Sequence, residues 1–408
     1  MEKLIAKKSI TNIFFKLFIV SACFESFGAW MFVIINETII HICVLLMSFL
    51  FFLLFPDYYR FKRKTTTWFL LLILAIFVTV YRLSFFGQLD KFSSVIPFLF
   101  IFSLKDEYKS DILNFVVNFV GYSFAISLFF FFLYNIGISL PHSYFSVFHY
   151  EFDNYYFFYI RINFLNILLP VSRYCFIFYE PGYTGCLIAL LLHAISYNFK
   201  KYKISYILLL ALFLTFSLAG WLIASLGFLL HKLGNNKLRF YWVSLILIFL
   251  LAFVSFFKSY NGGDNIVNNV MLERLQASET EYTIISGYNR SSASLREYFW
   301  NDFLYSENIW LGRPDYLHYF GYEETMISDW TAFVIRHGWI GLVSFILFVV
   351  YYPLCSHKKK YALTTYSILY LLIFSQTIFL VFGYMYLTVY SLGCSEIMNE
   401  NSKVNIAN

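Results

Sequence analysis

The stretch from Arg173 to Gly185 carries the residue types best suited to chemistry in a chain that is otherwise apolar. Arg173 and Glu180 are seven residues apart, so a helix through the stretch would place them on one face. Pro181 suits the first turn of a following helix. A guanidinium fork suits phosphate oxygens, and a carboxylate suits proton transfer from a sugar hydroxyl. Charged groups near lipid point to function by default, although a structural ion pair or an arginine reaching lipid headgroups is the alternative.

A second group of candidates follows in the polar segment from Gly287 to Trp300. Arg290 and Arg296 stand there among Ser, Tyr and Trp residues. Two guanidiniums suit a diphosphate, and the flat aromatic faces suit sugar rings. Contact with anionic headgroups, or a solvated loop, is the alternative. Arg313 is a further candidate in the same segment.

A third group lies where this polar segment returns to an apolar run. Asp329 and His337 are candidate bases, and Arg336 is a candidate positive charge beside them. An interfacial belt of Trp330 and Trp339 with polar neighbours is the competing interpretation.

The composition identifies what kind of element must position these groups. The 408 residues are 60% hydrophobic and only 13% charged, and the mean hydropathy is +0.66. A soluble domain has about 25% charged residues. The chain is therefore expected to be an all-α polytopic membrane protein with about 11–12 transmembrane helices. A transmembrane β-barrel would instead show strands of alternating polarity.

Apolar runs place these helices and leave one ambiguity. Thr215-Phe-Ser217 and Gly220 interrupt an apolar run, so the neighbouring pair is either one long helix or two helices broken at Ser217–Gly220. Small hydroxyl residues at such positions more often help helices to pack than act in chemistry. Helices are expected near residues 13–35, 39–56, 67–86, 94–104, 112–135, 182–199, 204–217, 218–232, 239–257, 333–354, 362–381 and 382–396.

Charge distribution predicts the topology. The clusters around residues 2–8, 58–64, 105–111, 200–203, 231–239 and 357–360 all fall on one side of these helices, which the positive-inside rule assigns to the cytoplasm together with the N terminus. Segments 136–181 and 258–332 are then extracytoplasmic, and the first lies along the interface or re-enters the membrane as a short helix. The chain accordingly divides into 1–135, 136–181, 182–257, 258–332 and 333–408, of which the first, third and last are transmembrane.

Several function classes lack their motifs. The net charge of +6 is spread over short clusters between apolar runs, so it does not indicate nucleic-acid binding. The six cysteines are scattered without metal-ligand spacing, and no Gly-rich nucleotide loop occurs, so no metal or other cofactor is expected. A reaction would need an activated substrate reached outside the cytoplasm.

The chain resembles the Wzy-type polysaccharide polymerases and the related WaaL-type O-antigen ligases. The resemblance covers about residues 165–355, and Phe176 and Leu218 stand where the family has Gly and often Arg. The matching residues are Arg173, Glu180-Pro181 and Gly185, then Thr215-Phe-Ser217, Arg296 and Trp300, Leu311-Gly312, and Gly338 with Gly341.

This resemblance implies a bacterial inner-membrane glycosyltransferase that joins oligosaccharide repeat units linked to undecaprenyl diphosphate. It implies inverting transfer without a metal, with Arg173, Arg290 and Arg296 on the diphosphate and Glu180 or Asp329 as the base. The implied partners are the lipid-linked oligosaccharide and the bilayer, and a chain-length regulator is compatible with it although no residue pattern specifies its site. The alternatives are a ligase acting on lipid A core and a flippase or transporter of lipid-linked sugars.

Overall fold

A computed structural model of the chain is mostly helical. The residues that it describes are 13–17, 19–21, 23–24, 37–60, 67, 70–75, 77, 96–147, 150–163, 172–178, 180–234, 248, 251–252, 254–265, 267–268, 300–313, 330–354, 360–376 and 388–394.

Seven longer helices and one small sheet make up most of these residues. The helices are α1 (Glu37–Leu54), α2 (Asp106–Asn135), α3 (Pro181–Ala194), α4 (Ser205–Leu214), α5 (Leu218–Gly234), α6 (Trp330–Leu354) and α7 (Lys360–Gln376). All seven overlap helices expected from the apolar runs, and shorter helical stretches such as 96–103 and 388–394 overlap others.

Two helices are long and apolar enough to span a membrane by length and composition. They are α2 and the part of α6 from Phe333 to Tyr351. Shorter apolar helices accompany them, including α3 and α4. Large apolar side chains such as Tyr122 and Phe129 of α2 are exposed. These features are compatible with a membrane protein.

Helices α3 and α5 run side by side in the same direction. Gly185 of α3 lies against Gly220 near the start of α5. Further along, the rings of His193 and His231 are 6.3 Å apart. Helix α7 packs on α5, with Leu369 close to Gly227.

Backbone hydrogen bonds join two of the charged clusters. The Arg60 N–H donates to the Ser103 carbonyl at 2.8 Å, and the Lys105 N–H donates to the Tyr58 carbonyl at 2.9 Å. Residues 58–60 therefore lie beside the start of α2.

Two further charged clusters reach the same end of the helices. The Tyr202 hydroxyl donates to Asn114 Oδ1 in the first turns of α2, at 2.5 Å. The ring of His231, near the end of α5, is 5.8 Å from the ring of Tyr197, which precedes the basic loop before α4. The structure thus gathers the described parts of four clusters at one end, which we call the basic end.

Residues 143–163 form a three-stranded antiparallel sheet in the order β1 (Ser143–Val147), β2 (Tyr150–Tyr155) and β3 (Ile160–Asn163). The prediction of an all-α fold is wrong for this part of segment 136–181. The sequence predicts that this segment lies along the interface or re-enters the membrane as a short helix. It is rich in aromatic residues, which also favour strands.

The breaks in the helical pattern differ in detail from expectation. Helices α4 and α5 are separate, but the break spans residues 215–217 and α5 already begins at Leu218. Helix α2 starts at Asp106, six residues before the expected position, so it includes part of a charged cluster. Helix α6 contains a non-helical residue at Gly338.

Candidate active site

The backbone of residues 172–178 is irregular, so the prediction that Arg173 and Glu180 share a helical face is wrong. The reason is visible in the hydrogen bonds. The Tyr174 N–H donates to the Leu214 carbonyl at 2.9 Å, and the Phe176 carbonyl accepts from the Arg161 N–H at 2.8 Å. Because these groups pair with α4 and β3, they cannot form intrahelical bonds. Phe176 also has a φ of 56°, which a helix would not allow.

This irregular segment lies deep against α2. The ring of Phe176 stacks on Phe124 with centroids 4.4 Å apart, and Tyr174 contacts Phe131 at 5.2 Å. Phe124 lies eleven residues before Asn135, the end of α2, which corresponds to about 16 Å along the helix axis. Residues 173–178 are all buried, so other parts of the protein surround this non-helical backbone.

Arg173 caps the end of α4. Its Nε donates to the Thr215 carbonyl at 3.1 Å and its Nη2 donates to the Phe216 carbonyl at 3.0 Å. The last carbonyls of a helix lack intrahelical donors and carry partial negative charge. The guanidinium donates hydrogen bonds to these carbonyls and offsets their partial negative charge. Arg173 is only 8% exposed. Its position is therefore fixed by the break between α4 and α5.

The hydroxyl residues at this break cap the helices. Thr215 Oγ1 donates to the Leu212 carbonyl at 2.7 Å and accepts from the Ser217 N–H at 3.2 Å. Ser217 Oγ accepts from the Gly220 N–H at 3.2 Å, which is the bond of an N-cap residue. The Thr-x-Ser pattern thus ends α4 and starts α5.

A close crossing of α3 and α5 brings the two sequence motifs together. A Cβ added to Gly220 would lie 2.6 Å from the Gly185 Cα, and a Cβ added to Gly185 would lie 3.0 Å from the Ser217 Cβ. Only glycine allows the two backbones to approach this closely.

Glu180 lies at the mouth of this crossing. It is exposed and immediately precedes Pro181, which occupies the first turn of α3 as expected. Its side chain makes no capping hydrogen bond to α3. The carboxylate therefore reaches the surface at the end of α3 that is opposite the basic end.

Arg161 is a buried arginine that the sequence interpretation missed. It is 2% exposed, and its Nε donates to Asn154 Oδ1 at 3.3 Å. Its carbonyl accepts from Cys175 Sγ at 2.7 Å. The signal available in the sequence was an arginine flanked by two isoleucines.

A second backbone crossing lies at the break in α6. Gly338 has φ 66° and ψ 179°, and the Trp339 and Ile340 N–H groups that follow it donate to the carbonyls of Ile309 and Trp310. A Cβ on Gly338 would clash with the Trp310 carbonyl. Segment 309–313 is thereby held in the break.

Gly312 lies in the same crossing, where a Cβ would clash with the Arg336 carbonyl. The Arg313 N–H donates to the Ile335 carbonyl at 2.6 Å, and Arg313 Nη1 forms an ion pair with Asp302 at 2.9 Å. Gly312 and Gly338, two of the glycines that carry the resemblance, therefore meet in space.

His337 is half-buried and turned towards the helical stretch 70–75. Its Nδ1 lies 3.2 Å from the Ala75 carbonyl, and its ring stacks on Phe333 with centroids 4.2 Å apart. Arg336 beside it is also half-buried. Three predicted site residues, Arg290, Arg296 and Asp329, lie outside the described residues.

Comparisons with protein-family models, with curated proteins and with solved structures each found nothing similar. The chemistry of the site therefore has to be argued from its own residues.

The arrangement combines a fixed positive charge with an accessible carboxylate. Arg173 is anchored at the α4–α5 break, and Glu180 stands at the start of the helix that crosses that break. Among the described residues, no group of three or more His, Cys, Asp or Glu side chains could hold a metal ion. Such a site can stabilise an anionic leaving group and accept a proton.

Proposed function

We propose that this protein is a polymerase of the bacterial inner membrane that joins oligosaccharide repeat units carried on undecaprenyl diphosphate. In this proposal the N terminus is cytoplasmic, the chain crosses the membrane many times, and transfer takes place on the outer face. The observation that carries the proposal is the meeting of the Arg173–Gly185 stretch with the Thr215–Gly220 break, away from the basic end. These are two of the stretches on which the family resemblance rests.

The proposed reaction is a direct glycosyl transfer. A hydroxyl oxygen of the incoming repeat unit attacks C1 of the donor glycan, and the bond from C1 to the diphosphate oxygen breaks. The lipid diphosphate leaves with the bonding electrons, and the anomeric centre is inverted. Arg173, Arg290 and Arg296 neutralise the charge that develops on the diphosphate. Glu180 or Asp329 accepts the hydroxyl proton.

The structure supports a particular contribution from Arg173. A guanidinium has five N–H donors in a rigid fork. Two of them are directed at the carbonyls of Thr215 and Phe216, which fixes the plane of the group. A fixed positive charge needs no reorganisation when the leaving group forms, and such preorganisation lowers the barrier.

The main alternative from another class is a transporter of lipid-linked sugars. Transporters commonly use the free backbone groups of broken membrane helices to bind their cargo. At the break in α6, the Trp339 and Ile340 N–H groups already donate to segment 309–313. Because these two N–H groups already have hydrogen-bond partners within the chain, this break does not offer them to a cargo, which favours the enzyme over the transporter.

A gene deletion followed by gel analysis of the surface polysaccharide distinguishes the candidates. The polymerase proposal predicts that the ladder disappears while a single repeat unit still reaches lipid A core. Polymer that accumulates on the carrier lipid would instead identify a ligase. Loss of every transferred repeat unit would identify a transporter, and an unchanged ladder would refute all three.

Variants in the deletion strain then test the residues. Arg290→Ala and Arg296→Ala should leave the protein in the membrane but abolish long chains. Of Glu180→Gln and Asp329→Asn, the one that removes the base should do the same. Gly182→Ala is the matched control for the start of α3, because a Cβ there meets nothing within 4 Å. Full-length polymer from both arginine variants would show that the diphosphate assignment is wrong.

A further inference from the structure

Thr184, in the first turn of α3, makes a hydrogen bond that its place in a helix does not require. Its Oγ1 donates to the Cys175 carbonyl at 2.6 Å, nine residues earlier in the chain. A threonine hydroxyl inside a helix usually donates to the carbonyl three or four residues before it. Thr184 and Cys175 are 0% and 1% exposed, so water does not compete for this bond.

The bond connects the two charged residues of the candidate site. Cys175 lies two residues after Arg173, whose guanidinium is held by the carbonyls at the end of α4. Thr184 lies four residues after Glu180, which immediately precedes α3. The hydroxyl of Thr184 therefore ties the turn that carries the carboxylate to the segment that carries the guanidinium.

The next residue holds the other side of the same turn. A Cβ added to Gly185 would lie 3.0 Å from the Ser217 Cβ and 3.1 Å from the Gly220 Cα, so α3 touches the start of α5 here. Thr184 and Gly185 thus fix the first turn of α3 against both the irregular segment 172–178 and the α4–α5 break.

The Cys175 carbonyl does not depend on Thr184 for a donor. It also accepts from the Phe178 N–H at 3.1 Å. Losing a hydrogen bond is costly mainly when a buried group is left unsatisfied, and that would not happen here. Thr184→Val, which keeps nearly the same shape, should therefore fold. What the hydroxyl adds is the connection between segment 172–178 and α3.

From these contacts we infer that Thr184 is a positioning residue that holds the Glu180 carboxylate at a fixed place relative to the Arg173 guanidinium. The inference rests on the proposed function, and it takes Glu180 rather than Asp329 as the base. Thr184 is buried, so it acts through these two groups. Its contribution falls on the chemical step, because that step depends on the alignment of the reacting groups.

Steady-state kinetics of the purified full-length protein in detergent test this inference. The substrate is the lipid-linked repeat unit extracted from the deletion strain. Thr184→Val should lower kcat roughly 10-fold with KM little changed, because misalignment slows the chemistry more than it weakens binding. Thr184→Ser keeps the hydroxyl and should restore kcat.

Thr388→Val is the matched control, because it makes the same change at another buried threonine. Thr388 is 1% exposed, and within the part of the chain that the structure describes its Oγ1 has no hydrogen-bond partner. This variant should keep the kcat of the unmodified protein. A loss equal to that of Thr184→Val would show that the hydrogen bond to Cys175 is not the cause, and would overturn the inference.

A double variant separates positioning from a purely structural role. If Thr184 acts through Glu180, adding Thr184→Val to Glu180→Gln should lower the residual kcat no further, whereas a structural loss would add its own reduction. The inference is overturned by an unchanged kcat in Thr184→Val, by a failure of Thr184→Ser to restore it, or by additive losses in the double variant.

Hydrogen–deuterium exchange measures the same connection without any substrate. The backbone amides of residues 173–178 should exchange faster in Thr184→Val than in the unmodified protein or in Thr184→Ser. Unchanged exchange would overturn the inference even for a protein that is a polymerase. The gene deletion tests the proposed function separately, since an unchanged ladder would refute the polymerase, and with it this role of Thr184, whatever the exchange rates are.

Discussion

Polar side chains in this apolar protein donate hydrogen bonds to backbone carbonyls that lack their usual helical donor. The Val349 carbonyl in α6 would normally accept from the N–H four residues later, but that residue is Pro353, which has none. Instead it accepts from Ser367 Oγ at 3.0 Å and from the Tyr390 hydroxyl at 2.7 Å. Side chains from two other helical segments thus satisfy a carbonyl that the sequence leaves unpaired.

Removing these donors should destabilise the protein in a way that depends on Pro353. We expect Ser367→Ala and Tyr390→Phe each to cost about 1 kcal/mol, and the double variant to cost more than the sum because the buried carbonyl is then unsatisfied. Thermal unfolding of the protein in detergent measures the loss. In a Pro353→Ala background, residue 353 can supply its own N–H, so the same substitutions should cost less. Equal costs in both backgrounds would contradict this account.

Arg173 follows the same principle with a functional consequence. Its guanidinium completes the end of α4, and that bond holds the charge at a defined place beside the crossing of α3 and α5. The structural and functional interpretations of this residue are therefore compatible, because the cap supplies the positioning that a phosphate contact requires.

Elements of this fold meet through glycines at two crossings. Gly185 and Gly220 allow α3 to touch α5, and Gly312 and Gly338 allow segment 309–313 to enter the break in α6. In each case the backbone of one partner occupies the space of the missing side chain. The position of each element thus depends on the other.

The break in α6 should not tolerate a side chain at Gly338. Its φ of 66° and ψ of 179° belong to a region that only glycine adopts readily, and a Cβ would also clash with the Trp310 carbonyl. We expect Gly338→Ala to lower the unfolding free energy by roughly 3–5 kcal/mol.

Gly262→Ala provides the control for this prediction. Gly262 also has a φ of 66°, but a Cβ there meets nothing within 4 Å. It should therefore cost only the backbone strain, about 1–2 kcal/mol. Thermal unfolding compares the two variants, and similar losses would mean that the contact with segment 309–313 contributes nothing.

At the scale of the whole molecule, the helices have two chemically different ends. The basic end carries the described parts of four charged clusters, linked by contacts such as Tyr202 to Asn114. The opposite end carries Arg173, Glu180 and the break between α4 and α5. This polarity is what the proposed transmembrane topology requires, with substrate chemistry outside and basic residues inside.

Cysteine labelling tests that polarity. In a chain whose native cysteines have been replaced, Glu180→Cys should react with a membrane-impermeant maleimide that is added to intact spheroplasts. Lys201→Cys should react only after the membrane is permeabilised. Both side chains are exposed, and they lie at opposite ends of the helices. Whether the maleimide reaches each one therefore depends on the membrane alone. Labelling of both before permeabilisation would contradict the proposed topology.

The sequence alone predicted all seven of the longer helices among the described residues, because long apolar runs favour helices. It also located the two stretches that meet at the candidate site, since Arg, Glu, Pro and Gly are rare inside such runs. For residues 204–232 the sequence left two alternatives, one long helix or two helices broken at Ser217–Gly220, and the structure has two helices with Thr215 and Ser217 at the break.

Only the tertiary structure decided how those stretches are used. Residues 172–178 are irregular because their backbone groups pair with Leu214 and Arg161, which are distant in sequence. For the same reason, periodicity could not reveal the pairing of Arg161 with Phe176 or the insertion of segment 309–313 into α6, because these partners are distant in sequence. The strands of the small sheet pair with near neighbours in sequence, but an aromatic-rich stretch is compatible both with a strand and with a segment at the membrane interface.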